Sequence, residues 1–240
     1  MAQARGLSLC IPVLDEEEAI GRVLARAVRL GSPLRARGIE AFEIIVVDDG
    51  SCDRSATIVG TFPKVRLIRH GTNRGYGAAL KTAFANATHD LVAFIDGDGT
   101  YPPEALPAMC QPLLQDTADL VVGLRGGDEP SRMPPVRRVG NLMFAWLLAM
   151  TTRSTVHDST SGMRVFRREI LQALSPLPDG LHLTPTMSRR AIQVGLRVAE
   201  VSIRYDERVG RSKLSVPRDG VRFLWSILGT SLPPSSAKQE

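Results

Sequence analysis

Two aspartates at the end of an apolar segment are the residues of this chain best suited to chemistry. Asp96 and Asp98 are separated only by Gly97 and follow the apolar residues 91–95. Two carboxylates this close repel each other unless a cation lies beside them. Their oxygens suit Mg²⁺ or Mn²⁺, which commonly bridge to the phosphates of a substrate. The pattern therefore predicts a metal and phosphate site, with a surface turn rich in Asp and Gly as the alternative.

An apolar strand pattern followed by acids also occurs earlier in the chain. Residues 42–47 precede Asp48 and Asp49, and residues 7–13 precede the acidic run 15–18. Ligands of α/β sheets gather at the carboxyl ends of the strands. We therefore expect Asp48 and Asp49 at the same sheet edge as the first pair. The alternatives are a turn held by side-chain hydrogen bonds for Asp48 and Asp49, and a solvated helix cap for the acidic run.

Strand and helix patterns alternate along the first half of the chain. Because helical crossovers join parallel strands, the fold is predicted to be α/β with a mostly parallel, Rossmann-like sheet flanked by helices. The second half adds short strands and helices without a clear linker, which favours one domain with an embellished second half. Strands are predicted at 7–13, 42–47, 65–68, 91–95, 119–123, 165–166 and 196–205, and helices at 19–37, 53–58, 77–86, 103–114, 139–150, 168–174 and 184–195.

A glycine-rich segment, residues 71–79, opens the helix after the third strand. Small residues at a helix N-terminus leave free amides for a phosphate, so Gly75 is a candidate ligand. As a dinucleotide fingerprint the segment is weak, since it does not follow the first strand and lacks the full glycine spacing.

The charge of the chain is unevenly distributed. Residues 1–120 hold 12 Lys and Arg against 15 Asp and Glu, whereas residues 121–240 hold 18 against 10. A basic second half suggests contact with anions, which could be phosphates, a lipid surface or nucleic acid. With 5% aromatic residues the chain offers few stacking platforms for bases, and a nucleic-acid binder would leave the acids unexplained.

The cysteines and the apolar runs indicate in which compartment of the cell the protein is expected and whether it spans a membrane. Cys10, Cys52 and Cys110 show neither disulfide nor zinc spacing, which indicates reduced thiols in a cytosolic protein. The longest apolar run, Leu142 to Met150, is much shorter than the roughly 20 residues that cross a bilayer. We therefore expect a cytoplasmic protein that is not integral to a membrane but is able to sit at its inner face.

Two segments of the second half are candidates for contact with lipid. The run 139–150 is apolar nearly all round, which favours a buried helix over one partly in lipid. Residues 216–230 carry Phe223 and Trp225 beside arginines, which suits either a membrane-surface helix or a docking helix. Residues 231–240 are predicted to be a disordered tail.

Taken together, these motifs resemble glycosyltransferase family 2, which has the GT-A fold, and within it the polyprenyl-phosphate sugar transferases. The resemblance covers roughly residues 7–215. Its segments are 11–16 (Ile-Pro-Val-Leu-Asp-Glu), 46–51 (Val-Val-Asp-Asp-Gly-Ser), 73–79 (Asn-Arg-Gly-Tyr-Gly-Ala-Ala), 96–98 (Asp-Gly-Asp), Asp158 with 161–164 (Ser-Gly-Met-Arg), and Arg208 with 210–213 (Gly-Arg-Ser-Lys).

The resemblance implies a role for each matching position. The donor would be a GDP- or UDP-sugar bound by residues 1–125, and the acceptor a polyprenyl phosphate bound by residues 126–215. The nucleotide-sugar residues would be Pro12, Leu14, Glu16, Asp48, Asp49, Gly75, Asp96, Gly97 and Asp98, with Asp96 and Asp98 holding Mg²⁺ or Mn²⁺. The acceptor-phosphate residues would be Arg125, Arg138, Ser161, Arg208 and Lys213, and the catalytic group Asp96, Asp98, Arg125 and Arg208. Leu14 stands where the family often has an aromatic residue, and Thr100 where mannosyltransferases often have Gln.

The expected reaction is inverting sugar transfer with loss of a nucleoside diphosphate. A phosphate acceptor is already ionised and needs no strong base, whereas a hydroxyl acceptor would need one, such as Asp98 or Asp158. His157 is a weaker candidate for that role. The alternatives are a family 2 enzyme acting on a saccharide or small alcohol, a nucleotidyltransferase on a similar scaffold, and a non-catalytic nucleic-acid binder.

Overall fold

One seven-stranded sheet carries the part of the chain that a computed structural model describes, which is residues 6–133, 135–152 and 156–210. The order of the strands is β3-β2-β1-β4-β6-β5-β7. They are β1 (Gly6–Val13), β2 (Ala41–Asp48), β3 (Val65–Arg69), β4 (Leu91–Phe94), β5 (Leu120–Arg125), β6 (Arg164–Arg167) and β7 (Val198–Ile203).

The strand directions place the expected chemistry at one edge of the sheet. Strands β1 to β4 are mutually parallel, and β5 is parallel to β7. Only β6 runs the other way among the described strands, between β4 and β5. The predicted α/β fold with a mostly parallel sheet is confirmed. The acids that follow β1, β2 and β4 consequently meet at the carboxyl edge.

Helices lie on both faces of the sheet, and several are shorter than the sequence suggested. The run 19–37 divides into α1, a 3₁₀ turn and α2, and the run 103–114 divides into a 3₁₀ turn, α5 and α6. Pro107 and Pro112 lack the amide that would continue a helix, which accounts for the second division. The helices are α1 (Ile20–Ala27), α2 (Gly31–Arg35), α3 (Ser55–Gly60), α4 (Tyr76–Asn86), α5 (Leu106–Met109), α6 (Gln111–Leu114), α7 (Pro135–Thr152), α8 (Leu171–Leu174) and α9 (Leu183–Gln193).

Alternate residues of the central strands feed two apolar layers. Leu9 and Ile11 of β1 belong to the layer that includes α1, whereas Cys10 belongs to the layer that includes α4 and α9. All three side chains are fully buried. A strand covered on both faces is fixed in register, because a slip of one residue would exchange its two faces. The turn that follows such a strand is therefore held in place.

Helix α7 departs from the prediction that the run 139–150 is buried. Phe144 and Ala145 are buried, but five large apolar side chains of the helix are half or more exposed. A helix that is apolar all round gives no sign in its sequence of which face meets the protein, so the prediction was wrong for its outer face. These side chains, the apolar stripe of α7, are Val139, Leu142, Met143, Trp146 and Met150.

The predicted surface segment 216–230, the tail 231–240 and Lys213 lie outside the described residues. The division of the chain into a donor half and an acceptor half stays a prediction.

A loop from the second half caps the helix that opens with the glycine-rich segment. The main-chain carbonyl of Asp179 accepts hydrogen bonds from the amides of Gly77 (2.6 Å) and Ala78 (3.1 Å). A Cβ at Gly77 would overlap the carbonyl oxygen of Pro178. The glycine is therefore required by close approach of two backbones, and the expectation that these amides are free for a phosphate is wrong.

We predict that Gly77→Ala lowers the free energy of unfolding by roughly 1–3 kcal/mol, because the carbonyl of Pro178 cannot yield as a flexible side chain would. The measurement is equilibrium unfolding in urea. Gly60→Ala at the end of α3, where nothing lies within 4 Å of the added Cβ, is the matched control and is expected to be neutral. Equal stability of both variants would show that the 178–179 loop does not press on α4.

Candidate active site

The turn after β4 carries the two aspartates against the end of β1. The amide of Ile95 still donates to the carbonyl of Cys10 at 3.2 Å, and the chain then leaves the sheet. A Cβ at Gly97 would lie 3.1 Å from a methyl of Val13 and 3.2 Å from the carbonyl oxygen of Pro12. Pro12 and Gly97, both predicted to lie at the nucleotide, therefore form the contact that sets the position of the turn.

Asp96 occupies an enclosed position. Its Oδ1 accepts a hydrogen bond of 2.8 Å from the hydroxyl of Tyr76, and Gly162 packs so closely that a Cβ there would overlap Oδ2. Burial and then the charge of Asp98 raise the pKa of Asp96 to about 7, while Tyr76, Arg208 and Arg125 act in the lowering direction. A carboxyl group with this pKa is partly protonated near neutral pH, and a neighbouring cation would favour its ionised form.

Asp98 is buried and both of its oxygens are engaged. Oδ1 accepts from the amide (3.0 Å) and the hydroxyl (2.7 Å) of Thr100, and Oδ2 accepts from Nη1 of Arg208 at 2.8 Å. Thr100, which stands where mannosyltransferases often have Gln, thus fixes the orientation of Asp98. The sequence did not reveal this role, although a Thr two residues after an Asp is a recognisable signal for such a turn.

Arg208 also binds Glu16, which follows β1. Its Nη2 lies 2.5 Å from Oε1 of Glu16, and the Glu16 amide donates to Ser55 Oγ at 2.7 Å. The chain around Arg208 runs beside the turn through the bonds of the Asp206 amide to the Thr100 carbonyl and of the Val209 amide to the Asp98 carbonyl. Asp96, Asp98, Glu16 and Arg208, far apart in sequence, therefore form one charged cluster.

The donor atoms of this cluster fit a divalent cation. Within the described ranges, no group of three or more His, Cys, Asp or Glu residues could enclose a metal by itself. Two carboxylates on one turn instead match an ion that completes its ligands with substrate phosphates and water. The guanidinium of Arg208 already serves as a cation against Asp98, which shows that the position calls for positive charge.

Asp48 and Asp49 lie at the same sheet edge, as expected, but their oxygens hold the protein together. Asp49 accepts from the amides of Arg74 (3.0 Å) and Gly75 (2.8 Å), and its Oδ1 lies 2.6 Å from Nδ1 of His70. Asp48 accepts from the Ser51 amide at 3.2 Å and from Arg69 Nε at 3.3 Å. The alternative interpretation of a turn held by side-chain bonds therefore describes their contacts.

A shallow cleft opens beside this pair at the ends of β2 and β3. Gly50 and Ser51 of this cleft belong to the segment 46–51 of the family resemblance, whereas sequence reasoning missed Arg69 and His70. Arg69 is largely exposed within it, whereas His70 is buried and reaches Thr82 Oγ1 at 3.0 Å. The signal that could have found the cleft is position, since Arg69 ends a parallel strand and residues 70–71 directly follow it. The cleft is lined by Gly50, Ser51, Cys52, Arg69, His70 and Gly71.

Arg125, predicted to bind phosphate, is committed to another side chain. Its Nε and Nη2 each donate to the buried carboxylate of Asp158 at 2.7 Å, and Nη2 also reaches Thr160 Oγ1 at 2.7 Å. The guanidinium stacks 5.3 Å from the ring centre of Tyr205. A bidentate pair of this kind fixes both partners, so Asp158 is also not free as a base.

The remaining predicted acceptor residues are dispersed. Ser161 is fully buried, where its hydroxyl accepts from the Met163 amide at 3.3 Å. Arg138 is exposed on α7, one helical turn before Asn141, whose side chain accepts from Thr160 at 2.8 Å. Leu14 is half-buried at the end of β1. The structure thus unites Asp96, Asp98, Glu16 and Arg208, whereas Arg138 lies exposed on α7.

Comparison with known proteins agrees with this geometry. Residues 8–175 match glycosyl transferase family 2. The chain is 36% identical over 226 residues to the dolichyl-phosphate hexose transferase of Haloferax volcanii, covering 94% of each. It is 29% identical over 216 residues to an undecaprenyl-phosphate 4-deoxy-4-formamido-L-arabinose transferase of Sodalis glossinidius, covering 88% of this chain and 63% of that protein.

A solved structure with the same fold is glucosyl-3-phosphoglycerate synthase of Mycobacterium tuberculosis, crystallised with Mn²⁺, UDP and phosphoglyceric acid. Its TM-score is 0.75 at 23% identity, over 96% of this chain and 80% of that chain. The likeness confirms the predicted GT-A fold. The match to the family covers most of the chain, and the Haloferax relative aligns along nearly its whole length. The chain therefore belongs to glycosyl transferase family 2.

Proposed function

We propose that this glycosyltransferase moves a hexose from a GDP- or UDP-sugar to the phosphate of a polyprenyl lipid, with inversion at the anomeric carbon and with Mg²⁺ or Mn²⁺ bound. The names of the Haloferax and Sodalis relatives support a lipid phosphate as acceptor. The Mn²⁺ and UDP bound to the mycobacterial structure support the metal and the class of donor.

The observation that carries the proposal is the state of the carboxylates around the turn. Asp158 is paired with Arg125, and Glu16 is paired with Arg208. Asp96 and Asp98 are the two carboxylates that we propose to hold the divalent cation. Each is already engaged, whereas a hydroxyl acceptor would need a carboxylate free to take its proton. A lipid phosphate is ionised at neutral pH and needs positive charge instead, which Arg208 and the exposed Arg138 can provide.

The proposed reaction is a direct displacement. An oxygen of the acceptor phosphate forms a bond to the anomeric carbon, while the bond from that carbon to the donor diphosphate breaks and its electron pair leaves with the nucleoside diphosphate. A bound divalent cation would supply stabilisation of the charge that develops on the departing diphosphate. Asp96 and Asp98 would hold it, and the Arg125–Asp158 pair would fix the wall of the site.

The acceptor also requires a membrane surface, and we propose that α7 meets it at the cytoplasmic face. The apolar stripe of α7 recurs at spacings of three and four residues, so it occupies one face of the helix. It contains Trp146, a residue type suited to the interface, and has the exposed Arg138 near one end. None of the helices in the described ranges has the length and apolar character to cross a bilayer.

We predict that Asp98→Asn reduces transfer to a short polyprenyl phosphate by at least about 10²-fold, because the variant loses charge at the cation site. The assay supplies nucleotide sugars with Mn²⁺ and follows glycosyl polyprenyl phosphate and nucleoside diphosphate as products. Thermal unfolding close to that of the wild type is the control for the fold.

Two results would contradict this account. Turnover of the variant near that of the wild type would remove the role of Asp98. Transfer to a soluble saccharide or alcohol, with no gain from polyprenyl phosphate, would favour the alternative family 2 reaction.

We further predict that Mn²⁺ affinity falls as pH drops below about 7, since a raised pKa leaves Asp96 protonated there and the proton competes with the ion. Tyr76→Phe removes a hydrogen bond that favours the ionised form of Asp96, so the pKa of Asp96 should rise. The midpoint of the fall in Mn²⁺ affinity should therefore move to higher pH. For the wild type and the Tyr76→Phe variant, Mn²⁺ affinity is measured as a function of pH by following free Mn²⁺ with electron paramagnetic resonance. A midpoint that stays in place or moves downward in the variant would be inconsistent with control by Asp96.

For the membrane surface, we predict that the double variant Leu142→Ser, Trp146→Ser weakens binding to vesicles containing phosphatidylglycerol by tenfold or more, given roughly 1.5–3 kcal/mol for each buried apolar side chain. Val194→Ser is the matched control, because Val194 is a comparably exposed apolar residue just after α9. Sedimentation with vesicles gives the affinities. Equal binding by all three proteins would exclude α7 as the docking surface. A wild type that dimerises beside a double variant that does not would assign the stripe to a second copy.

A further inference from the structure

Arg208 lies at the point where the divalent cation of the proposed reaction would bind. Its guanidinium bridges two acids, with Nη1 at 2.8 Å from Asp98 and Nη2 at 2.5 Å from Glu16. Its third nitrogen, Nε, is buried and has no hydrogen-bond partner among the described residues. A buried donor without a partner is costly, so an arrangement that leaves one open calls for an explanation.

The oxygens of Asp98 leave little choice of site for a metal ion. Among the described residues, Oδ1 accepts two hydrogen bonds from Thr100, whereas Oδ2 accepts only the one from Arg208. A cation that is ligated through Oδ2 binds the same oxygen as the guanidinium of Arg208. Two positive charges on one carboxylate oxygen also repel each other. Arg208 and the metal ion are therefore competitors for the same atom.

The backbone around Arg208 determines where the displaced side chain can go. The amides of Asp206 and Val209 are bonded to the carbonyls of Thr100 and Asp98, which tie this segment to the turn. The residue Glu16 is 8% exposed, and its backbone amide is hydrogen-bonded to Ser55. Glu16 is thus placed to keep its hydrogen bond to Arg208 when the bond between Arg208 and Asp98 breaks. The guanidinium can then turn about its contact with Glu16.

We propose that Arg208 is an internal stand-in for the metal ion: divalent cation binding displaces it from Asp98, and Glu16 holds the freed guanidinium at the edge of the site. Nη1 and Nε then become available to a phosphate. Arg208, which we propose binds the acceptor phosphate, is thereby released from Asp98 only after the metal ion has bound. This last step rests on the proposed function, whereas the competition between Arg208 and the metal does not.

The test uses the whole chain and Mn²⁺ alone, without donor or acceptor. Arg208→Met removes the competing charge but keeps most of the side-chain volume, so we expect Mn²⁺ to bind at least about tenfold more tightly than to the wild type. Arg204→Met is the matched control, since Arg204 is an arginine of the same segment that pairs with Asp206 and does not reach Asp98. Its Mn²⁺ affinity should match that of the wild type.

Arg208→Gln, which keeps a hydrogen-bond donor but no charge, is the second variant and replaces Arg208→Met if that protein does not fold. Unchanged or weaker Mn²⁺ binding in a folded Arg208 variant would overturn the proposal, even if transfer is lost. If an Arg208 variant binds Mn²⁺ more tightly but the wild type transfers no sugar to polyprenyl phosphate, the competition between Arg208 and the metal is supported and the proposed function is rejected. The two failures are therefore separable.

Discussion

The repulsion between Asp96 and Asp98 is the constraint on which this site depends. The two carboxylates are fixed on one turn because the strand before them is buried on both faces and Gly97 packs against the end of β1. Neither acid can move away, so a proton or a cation must relieve their repulsion. In the described structure that charge comes from Arg208, and in the proposed reaction it comes from a metal ion.

The surrounding acids follow the same rule with different partners. Arg125 neutralises Asp158, and His70 with the amides of Arg74 and Gly75 surrounds Asp49. Buried charges are stable only when paired in this way, so these contacts give the walls of the site a single geometry. Rigid walls beside the Arg208–Asp98 pair would suit the proposed reaction, in which a leaving diphosphate is stabilised and an anionic acceptor is admitted.

The sequence alone could predict the sheet and the acidic turn, because parallel strands that are buried on both faces consist of continuous apolar runs such as 91–95. It could not predict contacts between distant segments. The carbonyl of Asp179 takes the amides expected to be free at Gly77, and Asp158 takes the guanidinium of Arg125. The outer face of α7 was also hidden, since Leu142 and Phe144 look alike in sequence although only Phe144 is buried.

The most direct test of the central claim is a crystal structure of the chain with Mn²⁺ and an unreactive nucleotide sugar, with manganese located by its anomalous scattering. We expect the manganese signal between the Asp96–Asp98 turn and the diphosphate, with Arg208 withdrawn from Asp98 and still bonded to Glu16. A manganese signal and a diphosphate remote from that turn, with the Arg208–Asp98 pair intact, would contradict the account.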